Sequence, residues 1–282
     1  MRLSTRIHDR DAAGFVHVYP VVSRRARGVS VGVNLNTNNA CNWRCVYCQV
    51  PDLVRGAAPE IDLELVETEL RALLDAIVNG DYMERHVPAD SRRLNDIALS
   101  GNGEPTTSKQ IDRVVDLIAR VLADFGLLGE VKLVLITNGS LIDRPEVGRA
   151  LAAMARANGE VWFKLDSATQ EGREKLNDAK ITTERVKANL ILAAGLCPTR
   201  IQTIAVGFDG APPSESEQCA YVELLAAVLE SGAELRDVLL YGLERVSYQP
   251  EAPRLSKLPL EWLTAFAARI AAGTGLPVSV HP

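Results

Sequence analysis

Three cysteines fall within one short stretch, Cys41-Asn42-Trp43-Arg44-Cys45-Val46-Tyr47-Cys48, spaced C-x3-C-x2-C. Thiolates at this spacing can converge on one metal centre from a single loop. Disulfides among them would close loops too short for unstrained geometry. Three thiolates are one short of a closed tetrahedral zinc site and one short of the four that fully ligate a cubane iron–sulfur cluster. A [4Fe–4S] cluster held by these three keeps one iron open to an outside ligand. Two plainer readings stay open: a zinc site completed by His8, His17, His86 or Cys197, and buried thiols with no metal.

A second stretch, Ser100-Gly101-Asn102-Gly103-Glu104-Pro105-Thr106, follows a strand-like run. Gly101 and Gly103 let the backbone approach a ligand closely, and Glu104 offers a carboxylate to an ammonium group. The segment is not the dinucleotide fingerprint, because no third glycine follows at the required spacing.

The cysteine loop, with aromatic Tyr47 just before its last cysteine, and the Gly101–Glu104 segment together resemble the radical S-adenosylmethionine (SAM) superfamily. Ser23-Arg24-Arg25, Val29-Ser30-Val31-Gly32-Val33, Cys45-Val46-Tyr47-Cys48-Gln49, Ile136-Thr137-Asn138-Gly139-Ser140, Trp162-Phe163-Lys164-Leu165-Asp166 and Ile201-Gln202-Thr203-Ile204 stand in an order similar to the branch of the wyosine (tricyclic guanosine) synthases. The likeness runs from about Tyr19 to about Val206. Wyosine synthases carry extra cysteines upstream for a second cluster; this sequence has none ahead of Cys41.

The resemblance implies a [4Fe–4S] cluster on Cys41, Cys45 and Cys48, with SAM bound at the open iron. It implies that Gly101, Gly103 and Glu104 hold the amino group of SAM and that Tyr47 supports the adenine side. Reductive cleavage then yields methionine and a 5′-deoxyadenosyl radical that takes hydrogen from an unidentified small-molecule or nucleotide substrate. A one-electron reductant such as flavodoxin or ferredoxin is implied as partner. The alternatives are a tRNA-modifying enzyme of the wyosine kind and a non-catalytic iron–sulfur or zinc protein.

The elements that must position these residues alternate along the chain. Alternating β-branched residues predict a strand over 28–35, and the Asn34, Asn36, Thr37, Asn38 and Asn39 run predicts the loop that holds the cysteines. The cluster residues therefore lie past the C-terminal end of a strand, the catalytic rim of a parallel α/β barrel. Apolar residues at helical spacing predict helices over 62–78, 146–156, 182–192, 215–229 and 260–270, and a helix carrying Ile111, Val114, Val115, Ile118 and Leu122. Strands are expected at 95–99, 131–136, 161–165, 200–206, 238–243 and 278–280. Residues 1–27 read as irregular, 79–94 as a surface loop and 207–213 as a mobile loop. The alternation implies a parallel sheet, and with the resemblance a partial (βα)6 TIM-like barrel. One radical SAM domain is expected over 1–282: an extension at 1–27, a cluster and SAM core at 28–206, and a substrate-side segment at 207–282.

Lys164 and Asp166 are two apart, so on a strand they share a face. Inward charges at the end of an apolar run must meet each other, water or a polar ligand. The functional reading is contact with the ribose hydroxyls or carboxylate of SAM; the plain reading is a structural ion pair. Asn138 ends the preceding strand and is a similar candidate, and Gln202 and Thr203 sit on the next strand. Tyr241, Glu244 and Arg245 are candidates to line the pocket. Cys197 and Cys219 read as structural thiols. The Arg24-Arg25 cluster reads as a solvated edge or as an anion contact.

The chain is 47% hydrophobic and 24% charged, which suits a soluble globular protein. Its net charge of −5 argues against broad nucleic-acid affinity. No long apolar run marks a membrane span, and the thiols and an oxygen-labile cluster point to a reducing cytoplasm.

Overall fold

The structure, a computed structural model, describes residues 14–23 and 28–281. Strands and helices alternate in an α/β fold whose sheet is mostly parallel, as the sequence pattern predicts. The chain divides into two compact units. One comprises Met1–Cys41, Gly56–Ile136 and Arg144–Glu160; the other comprises Asn42–Arg55, Thr137–Asp143 and Val161–Pro282.

In the first unit the strands lie in the order β1 (Val18–Ser23), β2 (Gly28–Val33), β3 (Leu94–Leu99), β4 (Lys132–Thr137, to Ile136 in this unit). β2, β3 and β4 run parallel, with Val31 opposite Ile97 and Ile97 opposite Leu133. β2 is buried along its whole length, as a parallel strand covered on both faces must be. Three helices, α1 (Leu63–Val78), α2 (Ile111–Asp124) and α3 (Pro145–Arg156), bury their apolar stripes; on α2 these are Ile111, Val114, Val115, Ile118, Val121 and Leu122. Asp62 caps α1 by accepting the Leu65 N–H at 3.0 Å.

β1 is the first departure from expectation, because residues 1–27 read as irregular. It pairs antiparallel with β2, Tyr19 opposite Gly32. Glu69, three residues after Val66 and four before Leu73 and so beside the buried stripe of α1, is 4% exposed. Its carboxylate accepts the N–H groups of Val16, His17 and Val18 at 2.7, 2.8 and 3.1 Å and so moors the start of β1. Glu69→Gln is expected to cost about 1–3 kcal/mol, the range for weakening a buried charged acceptor. Urea unfolding checks the cost, and faster amide exchange at 16–18 checks that the loss is local. The Arg24-Arg25 cluster lies outside the described residues.

In the second unit β5 (Gly159–Lys164, from Val161 in this unit), β6 (Thr199–Ala205), β7 (Leu235–Gly242) and β8 (Val278–His281) lie side by side in that order, all parallel. Lys164 stands opposite Gln202, Gln202 opposite Leu239, and Tyr241 opposite His281. The helices are α4 (Gln170–Asn177), α5 (Thr183–Leu196), α6 (Glu215–Glu230) and α7 (Leu260–Thr274). Thr169, Thr182 and Ser214 cap α4, α5 and α6 through their hydroxyls. The short, polar α4 escapes the periodicity argument. It is fixed instead by Arg173, 2% exposed, whose guanidinium donates to the carbonyls of Ser167 and Ile181 and to the Thr183 hydroxyl.

Two loop expectations need correcting. Within 79–94, Tyr82–His86 forms a short helix and Ala89–Ser91 a 3-10 turn. The expected mobile loop after Gly207 is anchored: Gly207–Phe208 pairs antiparallel with Leu255–Ser256, and Arg254 clamps Asp209 at 2.6 and 2.8 Å. No helix among the described residues is long and apolar enough to cross a membrane.

Candidate functional site

In the first unit the loop leaving β2 is built by its asparagines. The Asn34 side-chain oxygen accepts the N–H of Asn36 and that of Asn102, both at 3.0 Å. Asn36, 1% exposed, donates to the Ala40 carbonyl at 2.8 Å and to the Thr107 hydroxyl at 3.2 Å. Asn102 reaches Asn39 at 2.6 Å. The cysteine loop up to Cys41 and the segment after β3 are thus knitted together. Glycine is obligatory at one crossing: a Cβ on Gly103 would stand 2.1 Å from the Ala40 carbonyl oxygen. At Gly101 a Cβ would meet the Asn34 amide at 2.3 Å. Glu104 is buried, and one of its carboxylate oxygens accepts the Thr106 N–H at 3.1 Å and its hydroxyl at 2.6 Å. The sequence reading took the asparagines as loop markers only; their signal was four asparagines within six residues.

In the second unit the rest of the loop is strapped from two sides. The C-terminal carbonyls of α4 accept from it, Leu176 from the Val46 N–H at 2.9 Å and Asn177 from the Arg44 N–H at 3.1 Å. The segment after β7 holds the other side. Ser247 donates to the carbonyls of Val46 and Cys48 at 2.7 and 3.2 Å, and the Tyr248 N–H donates to Cys48 at 2.9 Å. Gln249 donates to Val50 at 3.3 Å, and Glu251 takes Arg44 in a two-pronged pair at 2.8 and 2.9 Å. Ser247, Gln249, Glu251 and Asn177, which hold the cysteine loop, were missed by the sequence reading.

Lys164 and Asp166 meet, as their spacing predicts, with Nζ 3.5 Å from the carboxylate. Asp166 is the hub of this unit's site. It accepts the Tyr47 hydroxyl, the Asn177 amide at 3.0 Å and the Ile204 N–H at 3.1 Å. Lys164 also donates to the Tyr241 hydroxyl at 2.9 Å and lies over the Tyr47 and Tyr241 rings. Burial pulls the Lys164 ammonium down, but Asp166 and Tyr241 outweigh it and hold it above the ordinary lysine range. Burial, then Asp166, pushes the Tyr47 hydroxyl well up, so it stays a neutral donor. Below this network Val46, Tyr47, Ile204, Val206 and Phe208 form an apolar cluster against which Cys45 packs.

Burial first, and Asp166 second, pushes the Cys45 thiol up to about 11. In the metal-free protein this thiol is expected to alkylate about a hundredfold more slowly at pH 8 than an ordinary cysteine, following its thiolate fraction. Peptide mass spectrometry after a timed iodoacetamide pulse, with exposed Cys219 as internal reference, measures the ratio.

The remaining candidates fall in different places. Asn138 turns its amide to the Asn42 side chain at 2.9 Å and accepts from Ser140, tying the end of β4 to the cysteine loop. Thr203 is directed away from Lys164: its hydroxyl meets Tyr221 of α6 at 2.5 Å, while Gln202 shares the Lys164 face by strand register. The Gln202 side-chain nitrogen is buried with no hydrogen-bond partner among the described residues. Arg245 contacts Gln49 at 3.4 Å, and Glu244 pairs with Lys257. Cys197 is buried behind α5. A cavity of about 620 Å³ opens beside Asn42 and Trp43, with Arg55, Lys180 and Arg185 in its lining.

The donor chemistry fits an iron–sulfur cluster. The loop offers soft sulfur ligands and no imidazole, and none of the three is disulfide-bonded. Two of the sulfurs are met by N–H donors, Cys45 by Asn177 at 3.2 Å and Cys48 by Val50 at 3.5 Å, the contacts that tune cluster thiolates. Among the described residues no three His, Cys, Asp or Glu side chains gather around a point that would hold one metal ion.

The family model for the radical SAM superfamily matches residues 35–220, more than half of the chain, and the chain belongs to that superfamily. Its members are enzymes that use a [4Fe–4S] cluster and SAM. The chain is 24% identical over 231 residues to UPF0026 protein slr1464 of Synechocystis, covering 78% of this chain and 75% of that one. It is 26% identical over 158 residues to UPF0026 protein MJ1312 of Methanocaldococcus jannaschii, covering 56% and 42%. A protein named GTPase Obg from Brachyspira hyodysenteriae matches at 25% over 128 residues, 45% of this chain, which spans only 16% of its length. Among solved structures, a radical SAM methyltransferase from Sphaerobacter thermophilus shares the fold at TM-score 0.60 and 16% identity, over 94% of this chain and 68% of that one. Streptococcus suis SuiB bound to S-adenosylmethionine does so at TM-score 0.54 and 13% identity, over 89% and 45%.

Proposed function

We propose that the chain is a radical SAM enzyme in which Cys41, Cys45 and Cys48 ligate the cluster and SAM occupies the open iron. The observation that carries this reading is the cysteine loop itself: sulfur-only, strapped on both sides, and met by N–H donors at two of its sulfurs. The cluster, when bound, supplies one electron that splits the SAM sulfonium into methionine and a 5′-deoxyadenosyl radical able to take hydrogen from a substrate. Glu104 offers a buried carboxylate to the SAM ammonium, and Gly101 and Gly103 set where it stands by letting the segment cross Asn34 and Ala40. Lys164 and Gln202 present donors on one face to a carboxylate or hydroxyl. Tyr47 fixes the loop beneath the adenine side. Asn138 and Thr203 act by positioning neighbours, since their polar atoms are taken up by protein partners. One domain, with 28–206 as cluster and SAM core and 207–282 on the substrate side, performs the reaction in a reducing compartment with a flavodoxin or ferredoxin as donor.

The test is anaerobic reconstitution. About four irons per chain and reductive release of 5′-deoxyadenosine are expected; zinc in place of iron would select a non-catalytic binding role. A second reading, tRNA modification of the wyosine kind, draws on the ordered resemblance and on Arg55, Lys180 and Arg185 around the cavity. Its mark would be a tRNA gel shift lost on replacing those three cations.

A further inference from the structure

We propose that Asn177 is a positioning residue for the Cys45 sulfur, donating a side-chain N–H that raises the reduction potential of the cluster. The inference rests on the reading of Cys45 as a cluster ligand. Asn177 ends α4, is 1% exposed, and has Nδ2 3.2 Å from Cys45 Sγ, 3.2 Å from the Tyr47 hydroxyl and 3.0 Å from Asp166 Oδ2. Its orientation is fixed by chemistry: a flipped amide would set oxygen against the Asp166 carboxylate, which can only accept. One N–H therefore faces Asp166 and the other is left for the sulfur and the phenol oxygen.

The need for such a donor follows from the helix. The C-terminus of α4 abuts the cysteine loop through the Leu176 and Asn177 carbonyls. A helix C-terminus carries partial negative charge, which opposes adding an electron nearby. An N–H to the thiolate draws charge off the sulfur and stabilises the more negative, reduced cluster. The side chain thus offsets locally what its own helix end imposes. The same Asp166 that orients Asn177 is held by Lys164 and by the Ile204 N–H. One sulfur ligand is thereby coupled to the wall formed by β5 and β6.

The Asn177 backbone carbonyl that accepts the Arg44 N–H is supplied by any residue, so side-chain variants leave that strap in place; iron content then reports a scaffold role of the amide and the midpoint reports its effect on the sulfur. The full chain is reconstituted anaerobically, its iron counted, and the cluster titrated by potential-controlled EPR. Asn177→Ala is expected to keep its iron while its midpoint falls by about 59 mV, a tenfold shift in the one-electron equilibrium. Asn177→Ser, with a shorter donor, should fall between. An unchanged midpoint in Asn177→Ala overturns the proposal, as does loss of iron from both variants, which would leave the side chain a scaffold only. Failure of the unaltered chain to bind iron would show up separately and would remove the cluster reading itself.

Discussion

Replacing Asp166 with alanine should destabilise the second unit by about 3–5 kcal/mol, the cost of leaving one partner of a buried pair alone. The carboxylate is nearly fully buried, and its partner Lys164 is largely so. Removing it leaves the ammonium, among the described residues, the Tyr241 hydroxyl and two aromatic faces. It also takes the acceptor from the Tyr47 hydroxyl, the Asn177 amide and the Ile204 N–H. Part of that loss is the desolvation of these stranded donors, which entering water reduces. A double variant, Lys164→Met with Asp166→Leu, distinguishes the two sources. It removes the orphaned charge but not the orphaned donors, so it should recover part of the loss and not all of it. Urea midpoints measure both. A single variant within about 1 kcal/mol of the unaltered chain would contradict the hub assigned to Asp166.

The two-residue spacing of Lys164 and Asp166 gave their shared face and their meeting. The same rule applied one strand further would have separated Gln202 from Thr203, which must point to opposite faces, and Thr203 does lie against Tyr221 of α6. Tyr47, Asn177 and Ile204 were out of reach, because hydrogen bonds across 119, 11 and 38 residues leave no local pattern. The helices with strong apolar stripes were legible to within a few residues. α4 was not, because Gln170-Glu171-Gly172-Arg173-Glu174-Lys175-Leu176-Asn177 holds one apolar side chain and depends on buried Arg173. β1 was hidden by Pro20 and by the charged stretch ahead of it. A proline is tolerated because this strand lies at the end of its sheet order. The asparagines after β2 were seen but undervalued, since turn-forming and side-chain bridging use the same residue type.

Cys45→Ala should abolish SAM cleavage, to below about a thousandth of the unaltered rate, or roughly 4 kcal/mol in barrier. Iron should fall well below the four per chain of a cubane. The argument turns on what alanine leaves intact. The loop is held by backbone and neighbour contacts that do not involve this sulfur: the carbonyls of Leu176 and Asn177, Ser247, Tyr248 and the Arg44–Glu251 pair. Its conformation should therefore survive, and circular dichroism should match. What disappears is one of the three sulfurs proposed as ligands, in a loop that holds no fourth. Two thiolates leave two irons of a cubane without protein ligands, and neither the buried Cys197 nor the exposed Cys219 belongs to the loop. Cys219→Ser serves as the control and should retain full iron and full rate. Cleavage by Cys45→Ala at more than a tenth of the unaltered rate would mean that the cluster does not depend on this loop, and the proposed chemistry would have to be placed elsewhere in the chain.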